Sequence, residues 1–548
     1  MRRASPRPDG GGRTRSQERI ASLVTALRDR RAASVFVLGV IAVTAGVALH
    51  LPMFMMAQDM GYRLYGMPMG QEMVWGMALI IGGIGIAAYG LLPRNVAEQV
   101  AASREIVVSP PEDLPLTPAH WRLMLVLVIA LVIDVMKPSS LGFTIPGMVD
   151  EYRVGKQLVS LVPLSALLGT VTGSVLWGLI ADVYGRKASI LLSAVVFVGT
   201  SICGAMPSLA WNIAMCFIMG LGAGGMLPVT YALLAEMMPS KHRGWSLVLV
   251  GGLGSVGGYF AASGLSAVLV PTFSWRVLWL ANLPTGLALV LLGGLIPESA
   301  KFLLARGRKD EARKVMALFG SEARRGPISE TVQFAKAGAG ALTGRAFVGK
   351  LLALSLAATC YGLINFGLLL WLPADLVAKG YSMELSSSLL AKSALIALPT
   401  IFIAAWGYSR WSTKGSVIAS LAVTVLGLLL VLRLELAGTG SPVIPVALLI
   451  IGTNALIAML LPYAAESFPM RIRGRTTGVV AACSKGGGML AQVLAVLAMV
   501  PALGAVSIIV VLPTVAALLL VAWFGQETRG RDLRDLDPDG HTFDGTGI

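Results

Sequence analysis

Glu236-Met-Met-Pro239-Ser-Lys-His-Arg243-Gly244 returns later in the chain as Glu466-Ser-Phe-Pro469-Met-Arg-Ile-Arg473-Gly474. The shared pattern is E-x-x-P-x-x-x-R-G, and the offset from Glu236 to Glu466 is 230 residues. Two further landmarks repeat at nearly that distance. Pro297-Glu298-Ser299 is matched by Gln526-Glu527-Thr528, and Gly178 by Gly407, each with an offset of 229. Three landmarks at one spacing indicate two halves in the same orientation. Parallel repeats about an axis along the membrane normal are an established transporter plan.

The sequence around these landmarks says what the halves are made of. The chain has 548 residues, 55% of them hydrophobic and only 13% charged, against ~25% charged in soluble domains. A helix needs ~20 apolar residues to cross a bilayer, and fourteen runs of that kind occur. Two come early, near 33–53 and 73–92. Twelve follow, near 121–145, 157–180, 188–206, 210–235, 245–269, 276–296, 346–373, 384–407, 415–433, 442–463, 476–499 and 502–524. Lipid offers the backbone no hydrogen-bond partners, so helices are expected. A β-barrel would show ~10-residue alternating strands instead. The fold class expected is an all-α membrane protein of two pseudo-symmetric six-helix bundles, preceded by two extra transmembrane helices.

The net charge of +15 is placed where it excludes a nucleic-acid partner. Residues 1–32 hold nine Arg and only Asp9, Glu18 and Asp29 as acids, whereas the loops at 207–210 and 501–505 carry no charge. By the positive-inside rule, 1–32 is a basic cytoplasmic tail and 33–93 a transmembrane hairpin with an external Met-rich loop. Residues 94–120 form a cytoplasmic linker, 121–296 the first bundle and 297–345 a cytoplasmic segment between bundles. The second bundle is 346–525, and 526–548 is a cytoplasmic tail. Both termini then face the cytoplasm of a plasma (inner) membrane. Within 297–345, the spacing over Glu298–Leu318 predicts a surface helix. The four cysteines (203, 216, 360, 483) fall singly in apolar runs and read as packing residues.

Gly178-Leu-Ile-Ala-Asp182-Val-Tyr-Gly185-Arg186-Lys187 resembles the signature loop of the major facilitator superfamily. The Glu236…Arg243-Gly244 repeat, Pro297-Glu298-Ser299 and Glu527-Thr528-Arg529-Gly530-Arg531 resemble marks of its sugar-porter and metabolite:proton symporter branches. The resemblance covers residues 121 to about 533. It implies alternating access around a central cavity, with Gly178, Asp182, Gly185, Arg186, Lys187, Glu236, Arg243, Glu466 and Arg473 as a cytoplasmic gating motif. Asp182 would cap a facing helix of the other half near 474–478, because helix N-termini carry partial positive charge. Arg186 and Lys187 would meet Glu236 and Glu466. Three positions depart from the pattern: Val183 replaces a base, Gln526 a proline, and Cys216, four residues before Gly220, stands where many relatives carry Arg.

Ionisable groups inside a span are costly and functional by default. Asp134 and Lys137 lie three residues apart in the first core run, on one helix face, and are expected to pair. Pro138 follows and is expected to bend or break the helix. Lys392 and Lys485 are two more intramembrane cations, and Asn365 and Asn454 could donate to a substrate. Three cations against one acid favour an anionic substrate such as a small carboxylate. Asp134 is the candidate proton carrier, with the proton as coupling ion and no other cofactor. The glycines of 251–258 and 486–488 are expected to let helices approach closely.

The function expected is secondary active transport of a small polar metabolite, with a lean toward an organic anion. A drug exporter of the same fold, a sugar transporter and a transporter-like sensor are the alternatives. No Walker loop, nucleophile elbow or HExxH occurs, so no enzyme is expected. The hairpin loop carries Met53, Met55, Met56, Met60, Met67, Met69 and Met73 near His50. Such ligands suit Cu(I), yet Met is also an apolar filler, and no metal site is assigned. Lipid, a second protomer and another protein remain open as partners of this hairpin.

Overall fold

The structure, a computed structural model, describes residues 15–92, 106–109, 114–305, 308–325, 345–437, 440–468, 473–497 and 503–529. Among the described residues, fourteen helices are long and apolar enough to span a membrane. The first two are α1 (Arg30–Met56) and α2 (Gln71–Leu91). One bundle comprises α3 (Pro118–Tyr152), α4 (Lys156–Ala181), α5 (Arg186–Ala205), α6 (Leu209–Met237), α7 (Lys241–Phe273) and α8 (Val277–Leu295). The other comprises α9 (Arg345–Ala378), α10 (Met383–Trp411), α11 (Thr413–Ala437), α12 (Val443–Ser467), α13 (Arg475–Val496) and α14 (Gly504–Phe524). Each helix falls on one of the apolar runs, with ends displaced by a few residues. With an even number of spans, Arg30 and Phe524 emerge on one face, here the tail face. The opposite face carries the hairpin loop.

The repeat is visible in contacts as well as in letters. At the start of α3, His120 Nε2 lies 3.2 Å from the carbonyl of Met237. Its mate Lys350, 230 residues on, donates from Nζ to the carbonyl of Ser467 at 3.1 Å. A Cβ on Gly258 would lie 2.7 Å from Val135, and one on Gly488 2.7 Å from Phe366. The glycines of α7 and α13 therefore bring α3 and α9 close in the same way, by van der Waals packing between small residues.

The hairpin packs one side against the first bundle and leaves most of its apolar surface exposed. Ile80 and Val43 are the side chains that a Cβ on Gly199 of α5 would meet. The apolar window of α5 is 100% buried, against 39% for its mate α11, because the hairpin lies over α5. The structure shows a contact of the hairpin with the first bundle. Met53 and Met73 are buried, while Met55, Met56 and Met60 are exposed.

Three expectations are corrected. Pro138 and Pro146 both sit inside α3, which runs unbroken to Tyr152. A proline removes one backbone donor, and neighbouring helices and side chains can accommodate that loss within a bundle. Helical irregularities lie elsewhere: Leu363–Leu369 of α9 and Gly407–Trp411 of α10 are π-helical turns, and α5 ends in a 3-10 segment, Thr200–Ala205. The inter-bundle segment holds two short helices, Ala300–Ala305 and Lys309–Phe319, rather than one. It also holds a strand, β2 (Glu322–Arg325), antiparallel to β1 (Ile106–Ser109) of the linker, in register Ile106 with Arg325. This two-stranded ribbon was not expected of an all-helical chain.

Candidate functional site

On the tail face the signature loop organises the ends of α4, α5 and α6. Gly185 has φ +101°, a left-handed conformation suited to glycine, and a Cβ there would lie 2.5 Å from Glu298. The turn lets the Glu298 carboxylate reach the N-terminus of α5, where the backbone N–H groups of Arg186 and Lys187 donate to it at 3.0 and 3.4 Å. Arg186 pairs with Glu236 at 3.1 Å, and Lys187 donates to the carbonyl of Gly294 at 3.2 Å. These contacts lie within one bundle. The mate of Glu298 behaves likewise: Glu527 accepts from the backbone N–H of Thr413 at 3.0 Å, its hydroxyl at 2.7 Å, and the Ser412 hydroxyl. Both carboxylates satisfy orphan donors at a helix start.

Their environments differ. Burial pushes the Glu298 carboxyl up, against the backbone donors and Lys187. Burial also raises Glu527, but hydrogen bonds from Ser412, Thr413 and the Arg529 backbone outweigh it and hold the group down at about 2. Glu466 accepts from Tyr408 and Thr528, each at 2.8 Å. Gly244 of α7 faces both Tyr408 and Glu466, since a Cβ there would lie 3.1 and 3.3 Å from them. This is a contact of the repeat motif that crosses between bundles. Gly178 has open space around it, and Arg243 is half-buried. The side chains of Asp182 and Arg473 lie outside the described residues, and with Asp182 the expected cap.

Midway through the membrane the structure separates residues that sequence had grouped. Asp134 is 5% exposed, and its Oδ1 has no hydrogen-bond partner among the described residues. It does not pair with Lys137. Lys137 is fully buried and turns to α5, donating to the Phe197 carbonyl at 2.7 Å and to the Thr200 hydroxyl, with its ammonium 4.2 Å from the Phe197 ring centre. A long side chain can leave the face its Cα implies, and a carbonyl plus a hydroxyl offer a buried ammonium partners without a second buried charge. Its charge lies within range of Cys216, the position where the family pattern carries Arg. Lys137 thus supplies a cation to that region from a different helix.

Among the described residues Asp134 makes no ion pair with either lysine; its charge is within range of Lys485 of α13, in the other bundle, as well as of Lys137. Lys485 sits 5.0 Å above the Phe366 ring. Asn365 lies in the adjacent π turn of α9, half-buried. That turn is braced by Gln492 of α13, fully buried, whose amide donates to the Phe366 carbonyl while its oxygen accepts from Trp371 Nε1 at 3.2 Å. A π turn leaves backbone groups out of the regular ladder, and such turns concentrate at functional sites. Asp134, Lys485, Asn365 and Gln492 therefore form one constellation on α3, α9 and α13. Lys392 is exposed on α10, and Asn454 donates to the Ile450 carbonyl of its own helix at 2.9 Å; neither joins it. Gln492 was missed because a lone amide in an apolar run looks the same whether it packs, as Asn454 does, or braces a site.

On the loop face a second polar centre escaped the sequence. Glu151, 7% exposed, accepts from the backbone N–H of Leu64 and Tyr65 at 2.7 and 3.0 Å, from Trp275 at 2.9 Å and from Arg276 at 2.8 Å. Arg276 is fully buried and also donates to the Gly204 and Met206 carbonyls at 3.1 and 2.8 Å. Both charges stand at span ends, where charged residues are ordinary, so position alone gave no signal.

Two parallel six-helix bundles with ionisable groups facing across their interface define a membrane carrier that works by relative motion of the bundles. Residues 127–492 match the Major Facilitator Superfamily, and the chain belongs to that family. It is a multi-pass membrane transporter, not an enzyme. Among its relatives, the niacin transporter NiaP of Acinetobacter baylyi is 26% identical over 450 residues, covering 78% of this chain and 99% of the relative. The 4-hydroxybenzoate transporter PcaK of Pseudomonas aeruginosa is 31% identical over 285 residues, 49% of this chain and 62% of the relative. The inward-open xylose transporter XylE of E. coli aligns with TM-score 0.60 at 17% identity, over 76% of this chain and 99% of that one. That likeness shows the fold.

Proposed function

We propose that the protein is a proton-coupled transporter of small aromatic or heteroaromatic monocarboxylates. The carrying observation is the cross-bundle charge couple of Asp134 and Lys485. Lys485 binds the substrate carboxylate, Asp134 carries the proton, and Phe366 offers the substrate ring a face. In the substrate-free state the Lys485 ammonium supports Asp134 as its counter-charge. A substrate carboxylate that draws the ammonium away removes that support, so substrate and proton bind together. Two relatives named for niacin and 4-hydroxybenzoate transport support this substrate class. The nine Arg of residues 1–32 support a cytoplasmic tail face, with the hairpin loop outside. The Gly244–Tyr408–Glu466 contact is then part of the cytoplasmic gate.

A thermal-stability panel on the purified protein tests the substrate class. At one hundred times its Kd a ligand adds about 2.7 kcal/mol. Stabilisation by nicotinate or 4-hydroxybenzoate, lost in Lys485→Ser, is the expected result. Stabilisation by xylose or myo-inositol alone would replace the carboxylate reading with a sugar reading built on Gln492, Asn365 and Trp371.

A further inference from the structure

The loop face holds a cavity of about 260 Å³ between the bundles. Its walls come from three bodies. The hairpin gives Gly61 and Arg63, the first bundle gives Phe143, Asp150, Glu151 and Trp275, and the second gives Val377 and Met383. We propose that this cavity is an outer receiving site for a small planar organic anion, with Arg63 of the extra hairpin as the group that takes the carboxylate. The inference rests on the substrate class proposed above.

Charge availability singles out Arg63. Glu151 is engaged by the loop backbone, Trp275 and Arg276, and it is buried. Among the described residues Arg63 makes one polar contact, from Nη2 to Asp150 Oδ2 at 2.7 Å, and the two side chains are 59% and 71% exposed. A guanidinium has five N–H donors in a planar fork that matches a carboxylate. Most of that fork is unused here. An exposed pair of this kind is weak, so an incoming carboxylate can exchange for Asp150 at little cost. Phe143 and Trp275 supply aromatic walls. The volume falls just under the ~300–1,000 Å³ of pockets that take drug-sized molecules, which suits a single-ring acid.

The loop that carries Arg63 is built to hold it. Gly61 and Tyr62 are both left-handed, with φ +66° and +58°, a conformation uncommon in a non-glycine residue. Tyr62 is stacked on Phe54 at 4.7 Å and lies 5.7 Å from Phe273. The next two residues after Arg63 are those anchored on Glu151. Because the hairpin is packed on α5, Arg63 moves with the first bundle, whereas Val377 and Met383 move with the second. Rocking of the bundles therefore changes the cavity. Phe143 and Asp134 are nine residues apart on α3, about 14 Å along a helix at 1.5 Å per residue, so the receiving site lies above the central one.

Initial rates of labelled nicotinate and 4-hydroxybenzoate uptake, in cells expressing the full chain, test the proposal. Arg63→Gln is expected to raise KM about threefold at low salt and leave Vmax unchanged, in keeping with an exposed charge. Asp150→Asn frees the guanidinium and is expected to lower KM by a similar factor. Both shifts should vanish near 1 M salt, where screening removes exposed electrostatics. Opposite signs would show that the guanidinium does not attract the anion, and unchanged KM in both variants would remove Arg63 from the path; either result overturns the proposal. If the unaltered protein transports neither acid, the substrate reading falls and this inference with it. If it transports them and Arg63→Gln is silent, only the receiving site falls.

Discussion

At a spacing of 229 to 230 residues the two bundles share their scaffold: His120 and Lys350 against the α6 and α12 carbonyls, Glu298 and Glu527 at the starts of α5 and α11, and Gly258 and Gly488 against α3 and α9. The chemistry-bearing positions do not repeat. Asp134 has Ile364 as its mate, Lys137 has Gly367, and Lys485 has Ser255. The π turn of α9 corresponds to regular helix in α3. On the loop face Glu151 and Arg276 have Tyr381 and Val506 as mates, and the hairpin covers α5 but not its mate α11. Repeated residues hold the helices and the tail-face turns. Unrepeated ones mark where a single substrate, which has no two-fold symmetry to match, must be met by different groups from each side.

Making the halves alike should break the carrier. Lys485→Ser, which installs the residue of the first half, is expected to lower uptake at least ~100-fold while the protein remains folded, because the buried acid loses its counter-charge. Uptake assays paired with a melting curve check this. Next in size is the loop-face asymmetry. Glu151→Ala leaves the fully buried Arg276 without an anion, and breaking such a pair costs about 3–5 kcal/mol. The melting temperature in detergent should fall accordingly, and proteolysis of the hairpin loop should accelerate as Leu64 and Tyr65 lose their acceptor.

The smallest effect concerns the two capping carboxylates, alike in place and opposite in titration. Glu527 is held down at about 2 from an ordinary 4.5. Its contribution is present above pH 4.5 and is lost as pH falls toward 2. Glu298 is raised, so its contribution declines as pH climbs past 4.5 through the raised value. Glu527→Gln should therefore cost about 1 kcal/mol at pH 7, the scale of a helix cap. That deficit should shrink on acidification below pH 4.5. Glu298→Gln should cost less at pH 7, with its deficit growing toward lower pH. Melting temperatures of both variants across pH 3–7 decide it.

The scaffold was legible in the sequence because length and hydropathy define a span, and because a repeated motif needs no geometry to be seen. The interior was legible only as a set of candidates. Asp134, Lys485 and Asn365 are brought to one place, but Lys137 turns to Phe197 and Thr200, Lys392 faces outward and Asn454 bonds its own helix. Which way a polar side chain points depends on the rotation of its helix against its neighbours, and an all-apolar run carries little periodicity to reveal that rotation. The Glu151–Arg276 pair was hidden for a different reason, since partners 125 residues apart meet only when the bundle is assembled.

The central claim is that Asp134 carries the coupling proton while Lys485 holds the substrate anion. Asp134→Asn in proteoliposomes tests it most directly, comparing nicotinate or 4-hydroxybenzoate accumulation under an imposed proton gradient with exchange at equal pH. The account predicts that the variant loses gradient-driven accumulation and keeps exchange, because the carboxylate site on Lys485 remains. Accumulation with unaltered pH dependence in Asp134→Asn would contradict it.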